Sequence, residues 1–131
     1  MIGAAALLAA ALAGTPTPSA RAALPEGGWG GPDVSLTVTR EGGVLDFACA
    51  HGSLAEPIVP DDAGRFETRG VYVAEGPGPV RQNDVAGKKA RYVGRASGGS
   101  MTLSVFVSGS DTEIGPFTLE RGRLPRVIKC Q

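Results

Sequence analysis

The chain has 131 residues, with 13 basic and 13 acidic side chains and a formal charge of zero. It contains no run of like charges, so the sequence offers no electrostatic footprint for nucleic acid or an anionic membrane. This length fits one small domain, and 20 glycines with 10 prolines favour many turns over long helices.

Taken in order, the chain begins with a short apolar run, AAALLAAALA, over residues 4–13. Ala20-Arg21-Ala22 follows as a small-residue cleavage pattern. The expectation is a secretory signal peptide over residues 1–22, leaving 23–131 as a single β-barrel domain. No Lys or Arg precedes the apolar run, a departure from the usual leader. The run is too short to anchor the chain, since spanning needs about 20 apolar residues. A secreted or periplasmic protein is expected, with no transmembrane segment after cleavage.

Gly27-Gly28-Trp29-Gly30-Gly31 holds the only Trp, read as a plug over one end of a core. Alternation predicts strands over 33–40, with Val34, Leu36 and Val38 inward, and over 44–50, with Leu45, Phe47 and Cys49 inward. His51-Gly52 reads as a break, followed by a short edge-like strand over 53–60. Asp61-Asp62-Ala63-Gly64 reads as a turn, and 65–74 as a strand with a bulge or bend at Gly70. Residues 75–89 read as the longest loop.

The clearest stretch is Arg91 to Val107. Gly98-Gly99 between two alternating runs predicts a hairpin with a type I′ turn. The register then pairs Ala96 with Met101, Gly94 with Leu103 and Tyr92 with Val105 on one apolar face. Arg95 with Thr102, Val93 with Ser104 and Arg91 with Phe106 take the other face, with Thr102 and Ser104 toward water. Strands over 112–121, with Phe117 and Leu119 inward and Pro116 at an end or bulge, and over 126–130 complete the list.

About eight short strands with short connections predict an all-β fold, a small antiparallel up-and-down β-barrel. An immunoglobulin-like β-sandwich is the alternative. Cys49 and Cys130 are the only cysteines, and an exported chain most simply joins them in one disulfide. In a closed meander the two lie at the same rim. Cys49-x-His51 with Cys130 is the competing zinc reading, but it lacks a fourth protein ligand, so no metal is expected.

Gly27-x-Trp29 before the first predicted strand resembles the G-x-W signature of lipocalins and related calycins. That resemblance implies a barrel whose Trp29 plugs the closed end, near an Arg from the end of the final strand. Arg126 is the residue that matches by position. The wider pattern, from GGWGG through Cys49-Ala50-His51-Gly52 to the terminal Cys, resembles small exported bacterial proteins.

Little chemistry is legible. His51 is the only His and the first catalytic candidate, but no acidic partner lies near it in sequence. The expected inward set is apolar, so no enzyme and no cofactor is expected. The expected function is a binding module. A small apolar ligand would sit among Phe47, Tyr92, Met101, Leu103, Val105 and Phe117, near the 75–89 loop. The alternative is a protein-interaction or inhibitor domain with a filled barrel, using an outer face with Arg91, Arg95 and Phe106. Arg65, Arg69, Arg91 and Arg95 are expected on neighbouring outer faces.

Overall fold

Short alternating runs between glycine and proline turns fold into eight strands. They are β1 (Gly27–Gly31), β2 (Val34–Val38), β3 (Gly43–Phe47), β4 (Ala50–Leu54), β5 (Arg65–Ala74), β6 (Lys88–Ser97), β7 (Ser100–Val107) and β8 (Glu113–Arg121). The computed structural model describes residues 21–75 and 87–130. The expected leader, apart from Arg21 and Ala22, and most of the 75–89 loop lie outside the described residues.

Each strand pairs antiparallel with the next, and β8 returns to β1 through Trp29↔Arg121 and Gly30↔Glu120. One closed sheet leaves no edge strand, which excludes the two-sheet sandwich. The β6–β7 hairpin has the expected register, from Ala90↔Val107 through Tyr92↔Val105 to Ser97↔Ser100. Tyr92, Met101, Leu103 and Val105 are buried, and Thr102 is exposed.

Several expectations change, each for a local reason. Of the turn glycines only Gly98 has a positive φ, 61°, the signature of a type II′ rather than a type I′ turn. Ser104 is buried, not facing water, because its hydroxyl donates to Glu113 Oε2 at 2.7 Å. It lies at the irregularity where Leu103 pairs with Phe117 and Val105 with Ile114, so that Gly115 and Pro116 together stand against Ser104, the two-against-one of a bulge. Gly70 sits in unbroken register between Leu54 and Ala90, so it is neither bulge nor bend. A Cβ there would strike the Ser53 carbonyl, so glycine permits a close approach of β4 and β5.

The strand list shifts by one. GGWGG is a strand in its own right, and residues 126–130 are not one. His51 and Gly52 lie inside β4 rather than breaking a strand, and residues 55–64 form none. Cys49 sits with Ala48 in the two-residue β3–β4 connection, exposed rather than inward. Glycine explains β1. A Cβ on Gly31 would overlap the Thr118 carbonyl of β8, and one on Gly30 would overlap the Arg123 carbonyl of the C-terminal segment. Closure of the barrel therefore needs the bare backbone that hides β1 from a pattern search.

After β8 the chain runs as a strap. Pro32 and Arg126 form an isolated parallel bridge, and Cys130 N–H donates to the Ala48 carbonyl at 2.8 Å. Inside, Trp29, Val34, Leu36, Leu45, Tyr92, Met101, Leu103 and Leu119 belong to one core cluster.

Candidate functional site

Chemistry-bearing side chains gather in three regions: the interior, the rim that carries the disulfide, and the outer face of β5–β7. Phe47, Tyr92, Met101, Leu103 and Val105 are all buried in one cluster, and Phe117 packs half-buried against it. The Phe47 ring lies 5.1 Å from Phe117 and 5.7 Å from Tyr72. Tyr92 donates its hydroxyl to the Val71 carbonyl at 2.8 Å, which satisfies the polar end of an otherwise apolar insertion. Burial pushes its phenol well above the usual range. Glycines mark where rings fill the interior. A Cβ on Gly52 would overlap the Tyr92 hydroxyl, and one on Gly94 would come within 2.6 Å of the Phe66 ring. The chain thus brings the six expected interior residues together and packs side chains between them.

Trp29 is buried, as a plug requires. Arg126 is exposed, and its contacts to the start of β2 are made by backbone: its carbonyl accepts from Asp33 at 2.9 Å. The residue opposite Trp29 across the closing pair is Arg121, the last of β8. The difference follows from the strand list, because the final strand ends at Arg121 and not near Arg126.

The rim at the β3–β4 connection is a clasp. Cys49 and Cys130 form the expected disulfide, 81 positions apart in sequence. Beside it Lys129 Nζ donates to Asp46 Oδ1 at 2.8 Å, to the Phe47 carbonyl at 2.9 Å and to the Ala50 carbonyl at 3.2 Å. It also lies 3.1 Å from Glu75 Oε1. Glu75 accepts from His51 Nδ1 at 2.6 Å, and because a carboxylate only accepts, the imidazole proton on that bond sits on Nδ1. The His51 hydrogen bond is the largest influence and, with Lys129, holds the Glu75 carboxyl below its usual range, although burial, second in size, opposes them. Burial opposes the charge on Lys129, but Asp46 and Glu75 outweigh it and raise its pKa. The fold therefore supplies the acidic partner that His51 lacks in sequence. The same carboxylate also anchors Lys129, which ties it to the clasp.

The outer face of β5–β7 carries a different pattern. Register sets Arg65 directly opposite Arg95 and Arg69 opposite Arg91. Like charges facing each other across an antiparallel pair destabilise it. Partial relief comes from Glu67, 2.6 Å from Arg91, and from Glu56, 3.8 Å from Arg69. Arg91 also lies over the Phe106 ring, 5.1 Å from its centroid. Two clefts flank that ring. One of about 510 Å³ is lined by Arg69, Val71, Lys89, Arg91 and Phe106, and the other of about 300 Å³ by Arg65, Val93, Arg95, Thr102 and Phe106. A third of about 520 Å³ opens beside His51, Asp46 and Ser53. All three lie on the outside of the barrel.

Four of these arginines were expected on neighbouring outer faces. Lys89 follows from the same alternation, two residues before Arg91. Lys129 and Glu75 carried no sequence signal, because the partners of Lys129 are 54 or more residues away and His51 lies 24 residues from Glu75. Among the described residues no group of three or more His, Cys, Asp or Glu side chains is placed to hold a metal ion. Compared with protein-family models, curated proteins and solved structures, the chain matches none.

Proposed function

We propose that the chain is an exported, lipocalin-like binding module with a filled interior, and that it recognises an acidic segment of a protein partner on the outer face of β5–β7. The observation that carries this reading is the pair of cross-strand arginine pairs, Arg65↔Arg95 and Arg69↔Arg91. Each costs the free barrel some stability and each is relieved by an external anion. Phe106, across from Arg91, and Val71, two residues beyond Arg69, offer apolar contact beside the second pair. Positions 65 and 69 are four residues apart on one face, roughly 13 Å along the strand. An extended peptide with carboxylates four residues apart spans that distance.

Export is supported by the disulfide, which persists in oxidising compartments. The rings packed beside Gly52 and Gly94 favour a filled barrel over a small apolar ligand among Phe47, Tyr92, Met101, Leu103, Val105 and Phe117. The reading is non-enzymatic, since Glu75 is shared between His51 and Lys129.

The test uses a fluorescent peptide with two glutamates four residues apart and a phenylalanine between them. Anisotropy should show binding that weakens with salt. The double variant Arg69→Glu/Arg91→Glu should weaken it about tenfold or more, because like charges then face each other. Equal binding by parent and variant overturns the reading. So does a retained apolar molecule seen by native mass spectrometry in protein that ignores the peptide.

A further inference from the structure

The barrel closes through its thinnest seam. Two residue pairs join β1 to β8, Trp29↔Arg121 and Gly30↔Glu120, where every other pair of neighbouring strands shares at least five. The C-terminal strap runs across that seam. It leaves β8 at Arg121, and the Gly122 N–H donates to the Gly28 carbonyl at 2.8 Å. The backbone of Arg123 and Pro125 lies where a Cβ on Gly30 would stand. The Arg126 N–H then donates to the Gly31 carbonyl at 3.3 Å, and the Arg126 carbonyl accepts from the Asp33 N–H at 2.9 Å. The far end is fixed to the β3–β4 connection by the Cys49–Cys130 bridge and by the Cys130 N–H on the Ala48 carbonyl. Trp29, only 3% exposed, sits in the seam.

We infer that the Cys49–Cys130 bridge is a redox-sensitive lock on the β1–β8 seam: a dithiol reductant releases the strap and opens the barrel there, while the other strand pairs stay closed. Both cysteines are exposed, so a thiolate reaches the bridge in the folded chain. The thiolate attacks one sulfur, the S–S bond breaks, and a mixed disulfide forms. The second thiol of the reductant then displaces the remaining cysteine. The reductant leaves as its own disulfide, and Cys49 and Cys130 gain two electrons and two protons as thiols. Lys129 is left to hold the far end, through ion pairs to Asp46 and Glu75 that are open to solvent and worth little. The loss falls on the seam because the strap bonds to Gly28, Gly31 and Asp33, along β1 and its turn into β2. Bare backbone at Gly30 admits the strap, and without the strap two residue pairs alone close the ring. The lock is independent of the arginine pairs, because β5 lies opposite β1 in the closed ring.

The experiment uses the full chain before and after reduction by dithiothreitol. Acrylamide quenching of Trp29, the only tryptophan, should rise on reduction. Hydrogen exchange followed by NMR should quicken about tenfold or more at the Asp33, Gly122 and Cys130 amides, since the loop-closure contribution of the bridge falls on the strap. Amides of the β6–β7 hairpin should keep their rates. The Cys49→Ala/Cys130→Ala variant should match the reduced parent with or without dithiothreitol. Gly30→Ala tests the lock from the other side, with the bridge intact. A Cβ there displaces the strap, and strap docking and bridge closure favour each other, so dithiothreitol should reduce the bridge several-fold faster, read by mass after alkylation. Gly28→Ala, where a Cβ meets nothing within 4 Å, should leave that rate unchanged. A shielded Trp29 and unchanged strap amides in the reduced chain overturn the proposal. Equal quickening throughout the barrel also overturns it and makes the bridge a staple for the whole fold. Equal reduction rates in the two glycine variants would sever the strap from the bridge and overturn it as well.

Discussion

At the end of the barrel where β2 turns into β3, apolar side chains make the seal. Ile58 is buried from the loop after β4, and the Leu24 N–H donates to its carbonyl at 2.9 Å, laying the N-terminal segment across the opening. At the other end, where β3 turns into β4, exposed cysteines are bonded and an ammonium sits among carboxylate and carbonyl oxygens. The first seal depends on shape and water. The second depends on redox state, pH and salt. A small barrel with limited core can thus hold one end by burial and the other by chemistry that its compartment supplies.

The largest expected effect is on the clasp. The double variant Cys49→Ala/Cys130→Ala should lose roughly 4–5 kcal/mol by loop-closure entropy, with smaller measured values common. Denaturant melts with and without reductant check this: the parent should respond to reductant and the variant should not. Next comes the apolar seal. Ile58→Ala should cost about 2–5 kcal/mol, independent of reductant and pH, and Leu103→Ala in the wall should fall in the same range. Thr102→Ala on the adjacent outward position should stay within about 0.5 kcal/mol. If Ile58→Ala is as mild as Thr102→Ala, the apolar end is open and the contrast fails.

The pH dependence separates the two seals further. Glu75 is lowered from its ordinary 4.5, so its contribution is present above that value and is lost as pH falls through the folded pKa. Lys129 is raised from its ordinary 10.5, so its contribution is present below that value and is lost as pH rises through the folded pKa. The clasp should therefore be strongest between those two limits and weaken on both sides. Melts of Lys129→Gln across pH should flatten this profile, while Ile58→Ala should keep it. Both groups are largely solvated, so the amplitude should be small and should shrink with salt.

The smallest expected effect has the most diagnostic sign. Arg95→Glu replaces a like-charge pair with an opposite-charge pair opposite Arg65. Stability should hold or rise by about 0.2–1 kcal/mol, while binding of the acidic peptide falls. A loss of stability would mean that the Arg95 bond to the Ala63 carbonyl at 3.1 Å matters more than the repulsion.

How much of this was legible depended on range. The β6–β7 hairpin is a local object: its turn glycines and alternation fix every pair within 20 residues, and each pair is found. The closed eight-strand barrel and the disulfide also followed, because strand count and rim position survive small errors in boundaries. β1 did not, since GGWGG has no alternation to read and becomes a strand only because β8 and the strap press on its bare backbone. Residues 126–130 misled for the opposite reason. Val127 and Ile128 favour a strand, but β1 already occupies the place beside β2. At the candidate site, alternation put the arginines on outer faces. Only the β5–β6 register showed that they oppose each other in pairs. The strap's cations and apolar residues are visible in sequence, but their exposure is not.

The most direct test of the account is an amide and methyl chemical-shift map of the barrel titrated with the two-glutamate peptide and, separately, with a small apolar probe such as a short-chain fatty alcohol. The account predicts that the peptide shifts Arg69, Val71, Lys89, Arg91 and Phe106, and that the apolar probe leaves Tyr92, Met101, Leu103 and Val105 unmoved. Shifts of those interior residues with the alcohol, and none on the β5–β7 face with the peptide, would contradict it and return the binding site to the inside of the barrel.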